Sequence, residues 1–167
     1  MTIRNQCERL YKQAFGESQE FDTMLFDLFF KNTEVSQKDG IVTAMYFKIP
    51  CVLNFDGTKS KAYYIYAVTT HKDYRHQGIM SNLFEKTQTE SDALYFLKPS
   101  SLNVIPFYNQ SGFKQIVGTR EICNAKIEVS DNFKRLSELC DKPNCDYPLM
   151  IKGTINIEKL TFEYTLE

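Results

Sequence analysis

Two stretches of the sequence gather residue types that can do chemistry. The first is Arg75-His76-Gln77-Gly78-Ile79-Met80, where an apolar, strand-like run gives way to a helical pattern. A strand that enters a helix through a short turn aims backbone N–H groups into the gap, and the helix N-terminus adds about half a positive charge there. Gly78 suits close approach of backbone to a phosphate, because a side chain would stand in the way. The amides of Gln77, Gly78, Ile79 and Met80 are the expected donors, joined by Arg75 or His76. The turn reads as a cradle for a pyrophosphate, although Arg75 and Gly78 alone do not say which anion. An ordinary strand-to-helix turn with a surface arginine is the plainer reading.

The second stretch is Pro106-Phe107-Tyr108-Asn109-Gln110-Ser111-Gly112-Phe113. A tyrosine hydroxyl, ordinary pKa about 10, can give a proton to a departing group. A core tyrosine on an amphipathic helix is the alternative, and the chain has 10 tyrosines from which to supply it. Two other clusters point to less. His71 and His76 flank Arg75, but two histidines without carboxylate or cysteine company read as turn surface, so no metal is expected. The Tyr63-Tyr64-Ile65-Tyr66 run could stack on bases, yet a sheet core explains it better.

The elements that must position these residues follow from periodicity. Residues 2–15 and 18–32 read as two amphipathic helices, with Gly16 ending the first and Ser18 capping the second. Lys38-Asp39-Gly40 is a turn. Ile41–Ile49 is a strand with Pro50 marking its limit or a bulge, and Cys51–Phe55 continues extended. Asp56-Gly57 is a hairpin signal. Lys61–Thr70 is a strand with Tyr64, Tyr66, Val68 and Thr70 on one face. A helix runs from Ile79 to about Glu90, a short buried strand covers Leu94–Leu97, and a helix carries Val104–Tyr108. Strands are expected over 113–117 and 121–129, a helix capped by Ser130-Asp131 to Cys140, a loop over 141–148, and a strand-like tail broken at Gly153. The 61–97 strand–helix–strand piece should form a right-handed crossover with its two strands parallel, and a ligand could enter where they splay.

The 167 residues suit one domain. A net charge of −1 leaves no electrostatic footprint for nucleic acid or an anionic membrane, so an anionic ligand must be held by local geometry. The five cysteines are odd in number and form no C-x-x-C, which suggests free thiols in a reducing cytoplasm. No apolar run approaches membrane-spanning length.

Taken together, the two stretches carry a family likeness. Arg75 to Met80 resembles the R/Q-x-x-G-x-G/A acetyl-CoA signature of the GCN5-related N-acetyltransferases, the GNAT superfamily. Val68-Thr69-Thr70-His71-Lys72-Asp73-Tyr74 resembles the strand and turn that precede that arginine. Pro106 to Phe113 resembles the second motif, a helix with a tyrosine followed by Gly-Phe. The two N-terminal helices, with Ala14-Phe15-Gly16 between them, look like the acceptor-side helices. The likeness covers residues 1 to about 129 and is nearest to the enhanced-intracellular-survival-like subgroup. Three positions depart from the pattern. Met80 stands where the family has Gly or Ala, and either crowds the turn or points into the core. Ser101 stands where many members have an asparagine touching the cofactor, and Lys72 replaces a frequent proline.

The resemblance implies an α/β fold with a central, mostly antiparallel sheet, one parallel splayed pair and helices on both faces. Residues 1–129 would be the acetyltransferase core and 130–167 a helix and strand extension of the same domain. It implies acetyl-CoA as acyl donor, with the pantetheine arm on the backbone of Val68 and Thr70, and the oxyanion met by an amide near Val68 or Thr69. The pyrophosphate would lie on Arg75 to Met80, with Ser101 near the cofactor, and Tyr108 would protonate the departing thiolate. The reaction would be acetyl transfer to the primary amine of a small molecule or peptide, by direct attack in a ternary complex. No general base is evident. Tyr64 or Tyr66 could hold a water relay, and Glu20, Asp22 and the carboxylate of Glu167 are the remaining candidates. A non-catalytic CoA-binding or interaction module is the alternative. The tail from Asp141 completes the sheet, swaps between protomers of a homodimer, or closes the acceptor site.

Overall fold

The computed structural model describes residues 1–16, 18–116, 125–140, 148–154, 157, 160 and 166. The chain divides into two compact units, Met1–Ile49 with Ile65–Thr89, and Pro50–Tyr64 with Glu90–Glu167.

The first unit begins with two helices. Helix α1 (Ile3–Ala14) is capped by Thr2, whose hydroxyl accepts from Asn5 N, and buries Cys7, Leu10 and Tyr11. Helix α2 (Gln19–Phe29) is capped by Ser18, as its sequence suggests, and buries Phe21, Leu25, Phe26 and Phe29. Caps of this kind contribute about 1 kcal/mol each. Strand β1 (Thr33–Lys38) follows, in a stretch whose sequence announces no strand; Glu34, Ser36, Gln37 and Lys38 give it little apolar alternation. It pairs antiparallel with β2 (Ile41–Phe55) through the Asp39-Gly40 turn, both of whose residues have positive φ. Pro50 does not end β2: the strand runs through it, with Pro50 exposed.

Neighbouring residues on β2 face opposite ways. Phe47 packs edge-on against Tyr11 of α1 and Phe26 of α2, while Tyr46 packs against Phe84 of α3 (Ile79–Thr87). So α1 and α2 cover one face of the sheet and α3 the other. Helix α3 stops at Thr87, short of the expected Glu90, because Gln88 leaves the helical region at φ −103°, ψ 60°.

The second unit holds a parallel pair. Strand β3 (Thr58–Thr70), joined to β2 by Asp56-Gly57, pairs with β4 (Leu94–Leu97) from Ala62↔Leu94 to Tyr64↔Phe96, then runs on to Thr70. Helix α4 spans Ile105–Gln110, β5 Lys114–Gln115, β6 Ala125–Glu128, α5 Asp131–Ser137 and β7 Met150–Lys152. Ser130 caps α5 as expected. Strand β7 stops just before Gly153, where a Cβ would stand 3.0 Å from the Ala93 carbonyl oxygen. The seven strands of the described residues lie in the order β1-β2-β3-β4-β7-β5, with β6 also pairing β2. The other registered pairs are antiparallel, so the mixed α/β class and the single parallel pair stand as read from sequence.

Cys7, Cys51 and Cys140 are free thiols; Cys123 and Cys145 lie outside the described residues. Burial raises Cys7 to about 11 and Cys51 to about 12, so neither is a nucleophile at neutral pH.

Candidate active site

The stretch from β3 into α3 is shaped by backbone. Ala67 sits in the left-handed region at φ 53°, which costs an L-residue about 1–2 kcal/mol. Strict alternation fails there. Tyr64 to Ala67 are all buried, then Val68 is half-buried, Thr69 buried and Thr70 half-buried. Burial alone therefore does not mark out a face here, and the left-handed Ala67 interrupts the period of two.

Beyond Thr70 the turn is braced by its own polar groups. His71 N donates to the Thr43 carbonyl at 2.8 Å. The His71 ring takes the Asp73 amide on Nδ1 at 3.4 Å and meets the Tyr74 ring edge-on. Arg75 Nε donates back to the Thr70 carbonyl at 3.2 Å, and Gln77 Nε2 to the Asp73 carbonyl at 3.2 Å. His76 at φ 60° and Gly78 at φ 71° are both left-handed, on either side of Gln77. A Cβ added at Gly78 would meet nothing within 4 Å, so the glycine serves its backbone angle and leaves open space.

Helix α3 has no side-chain cap. Its first internal bond runs from Asn82 N to Gly78 O, so the amides of Ile79, Met80 and Ser81 precede it. Met80 is 6% exposed and shares the buried face of α3 with Leu83 and Phe84. Its side chain points into the core and does not crowd the turn. The result is a concave run of backbone at the positive end of a nine-residue helix, a form suited to a phosphate.

The far end of α3 is held by residues that sequence reading missed. Lys48 Nζ donates to the Thr87 carbonyl at 2.9 Å, and the Tyr46 and Thr87 hydroxyls share a short hydrogen bond. A cation on the last carbonyls of a helix is favourable. Burial raises the Glu34 carboxyl above its usual range, and Lys48 opposes that shift.

In the second unit, Ser101 leads the short 3-10 turn Leu102–Val104, and its side chain makes no capping bond. Tyr108 lies on α4, 7% exposed, its ring edge-on to Phe107 at 5.2 Å and to Phe113 at 5.9 Å. Phe113 N donates to the Tyr108 carbonyl at 3.0 Å, which closes the helix. Gly112 takes φ 90°, which favours glycine, and a Cβ there would lie in ordinary contact with the Lys152 side chain.

Of the base candidates, Tyr64 stacks on Phe96 at 5.2 Å and meets Phe133 edge-on. Tyr66 faces α1, and its hydroxyl lies 3.2 Å from that of Tyr11. Strand β3 carries no Asp or Glu from Thr58 to Thr70. Glu20 is exposed, Asp22 is buried on α2, and Glu167 lies outside the described residues. A groove of about 440 Å³ runs between α1 and α2, lined by Tyr11, Asp22 and Phe26 among others. Among the described residues, no group of three or more His, Cys, Asp or Glu is placed to hold a metal ion. No helix among them is long and apolar enough to cross a membrane.

Comparison with known proteins bears on this geometry. A search of curated proteins finds no match. Among solved structures, the chain is similar to a probable N-acyltransferase from Enterococcus faecalis, with 24% identity and a TM-score of 0.53, covering 67% of this chain and 30% of that one. It thus spans less than a third of that relative's length. It is similar to Arabidopsis thaliana Naa50 in complex with the bisubstrate analogue CoA-Ac-MVNAL, with 15% identity and a TM-score of 0.55, covering 92% and 95% of the two chains. It is also similar to the GNAT family N-acetyltransferase YhbS from Escherichia coli in complex with CoA, with 14% identity and a TM-score of 0.59, covering 96% and 84%. At these identities the likenesses speak to the fold. A sequence profile of the acetyltransferase (GNAT) domain matches residues 4–116, more than half of the chain and including both stretches singled out above, and the chain therefore belongs to the GNAT acetyltransferase family.

Proposed function

We propose that this chain transfers an acetyl group from acetyl-CoA to a primary amine, on a small molecule or a peptide, by direct attack in a ternary complex. The observation that carries this is the left-handed pair His76 and Gly78 at the uncapped N-terminus of α3, with open space where a Gly78 side chain would be. Such a backbone suits a phosphate group, and a pyrophosphate carries two. The CoA bound by the Escherichia coli relative and the peptide-bearing analogue bound by Naa50 support the donor and the acceptor class.

In this reading Gln77, Gly78, Ile79 and Met80 give amide donors to the pyrophosphate, joined by Arg75 or His76. Val68 and Thr70 pair through their backbone with the pantetheine arm, and an amide near Val68 or Thr69 meets the oxyanion. The left-handed Ala67 supports this, because it turns the amides that follow out of regular sheet alternation. Ser101 lies near the cofactor, and Tyr108 gives the departing thiolate its proton. The core spans residues 1–129, with 130–167 an extension of it. Within the family, this reading keeps the enhanced-intracellular-survival-like subgroup as the nearest in look. Free thiols among the described cysteines support a cytoplasmic setting.

The absence of a carboxylate on β3 favours a second reading, a CoA-binding module without turnover. Thermal melts with acetyl-CoA, followed by thiol release over a panel of primary amines, separate the two. A raised Tm with thiol release supports the acetyltransferase. A raised Tm with no release from any amine supports the module. No change in Tm of the folded protein overturns both.

A further inference from the structure

A second pocket in the first unit, of about 260 Å³, is bounded by α1, the start of β2 and His71, the first residue of the cradle turn. Leu10 and Val42, 5% and 3% exposed, give it an apolar floor. Its walls are tied together. Gln6 of α1 donates from Nε2 to the Gly40 carbonyl at 3.0 Å and accepts the Val42 amide on Oε1 at 2.9 Å. His71 N donates to the Thr43 carbonyl at 2.8 Å. The pocket is thus formed before anything enters it. Its charge is of one sign: Arg9 lines it, and no Asp or Glu does among the described residues. Arg4, on the same helix, is held by Glu8 and Asp27, whereas Arg9 donates among the described residues only to Met1 Sδ at 3.5 Å, a weak acceptor. The His71 ring takes the Asp73 amide on Nδ1, so in its neutral form it carries its proton on Nε2, a donor that no described residue takes.

We propose that this pocket is an effector site for a small monocarboxylate with an apolar tail, and that its occupancy tightens acetyl-CoA binding at the neighbouring cradle. The coupling rests on the acetyltransferase reading; the site itself does not. The carboxylate fits Arg9, whose planar guanidinium offers two parallel N–H donors, and accepts the His71 Nε2–H as well. The tail lies on Leu10 and Val42. A volume of about 260 Å³ is below the range of drug-sized sites and suits a chain of roughly four to six carbons. An amine would meet only positive charge there, and a dicarboxylate would set its second charge against apolar walls. Coupling runs through the ring. A carboxylate that accepts from Nε2–H makes Nδ1 a better acceptor and strengthens its bond from the Asp73 amide. The Asp73 carboxylate, 3.7 Å from Nδ1 and 67% exposed, stands on the other nitrogen's side. The Nδ1 bond leads the 3-10 turn Lys72–Tyr74, after which Arg75 Nε returns to the Thr70 carbonyl. A filled pocket therefore holds the turn from which the cradle begins.

The test has two arms on the intact protein, with sodium hexanoate as the probe. In the first, amide NMR follows a hexanoate titration. Hexanoate should shift the Leu10 and Val42 signals saturably, with a Kd of about 1 mM. Hexylamine lacks the negative charge and acetate lacks the tail, so neither should shift them at ten times that concentration. Arg9→Gln should weaken hexanoate at least tenfold and leave acetyl-CoA affinity, measured without hexanoate, within about twofold. No saturable shift, equal shifts with hexylamine, or shifts confined to Thr23 and Phe26 of the α1–α2 groove, which Arg9 also lines, overturn the site. In the second arm, calorimetric titration gives acetyl-CoA affinity with and without saturating hexanoate. Wild type should bind at least threefold tighter with it, and hexanoate should gain the same factor when acetyl-CoA is present. His71→Asn keeps an acceptor for the Asp73 amide but places no donor where Nε2–H was, so the threefold gain should vanish. Bound hexanoate without change in acetyl-CoA affinity, or a gain that survives in His71→Asn, overturns the coupling. Wild type that takes hexanoate and never binds acetyl-CoA overturns the acetyltransferase reading and the coupling with it, which tells that failure apart from a pocket that takes no carboxylate.

Discussion

The turn into α3 and the helix α4 are built by different means. In the first, backbone makes the site: His76 and Gly78 are left-handed, Gly78 faces open space, and α3 begins without a side-chain cap. In the second, one side chain carries the proposed chemistry, and Tyr108 is held by aromatic packing against Phe107 and Phe113. A backbone site tolerates changed side chains and fails when φ is altered. A side-chain site does the reverse. Binding and turnover should therefore separate along the same line.

The sharpest break is Gly78→Glu. It combines about 1–2 kcal/mol of left-handed strain with a negative charge facing a pyrophosphate, so acetyl-CoA affinity should fall at least ~100-fold. Calorimetric titration measures it, and unchanged affinity would reject the cradle. Next is Tyr108→Phe, which keeps the ring packing and removes the hydroxyl. Turnover should drop about 100-fold, as for loss of a general acid, with acetyl-CoA affinity within a few-fold of wild type. Wild-type turnover would remove Tyr108 from the mechanism and leave a site made of backbone alone.

A smaller effect sharpens the backbone side. His76→Gly relieves a left-handed non-glycine residue and should raise unfolding stability by up to about 1 kcal/mol, read by denaturant titration, while acetyl-CoA still binds. Loss of binding would mean that the His76 ring, and not its backbone, holds the ligand. The smallest effect lies at the other end of α3. Burial raises the Glu34 carboxyl, and Lys48, which also holds the Thr87 carbonyl, opposes the shift. A raised folded-state pKa favours the folded protein below the ordinary carboxylate range, and that advantage is lost as pH rises through the raised value. Glu34→Gln should thus raise Tm slightly at pH 7 and not below about pH 4. An equal gain at both would assign the effect to something other than this charge.

Much of this was legible in the residues. Ser18 and Ser130 cap the helices they precede, because a hydroxyl before an apolar helical period has few other uses. Asp56-Gly57 joins β2 and β3 with two positive φ angles. Other features left no local mark. Strand β1 has little apolar alternation, since half-buried pairing with β2 sustains it. Pro50 reads as a limit or a bulge, and β2 runs through it. Ala67 gives no warning of its left-handed angle, because alanine has no preference for it. His76 gives a faint one, as histidine is somewhat enriched there. The Tyr11–Tyr66 contact joins residues 55 apart in sequence, beyond the reach of any periodicity.

The sequence by itself determined the family, the α/β class and the strand–turn–helix with its arginine and glycine. These rest on local spacing, which one chain carries on its face. Only the tertiary structure decided that Met80 turns into the core, that β3 loses its alternation at Ala67, and that Tyr66 meets the hydroxyl of Tyr11. Each depends on which neighbour fills the space beside a side chain. That is settled by packing among distant segments, and no window of sequence contains it.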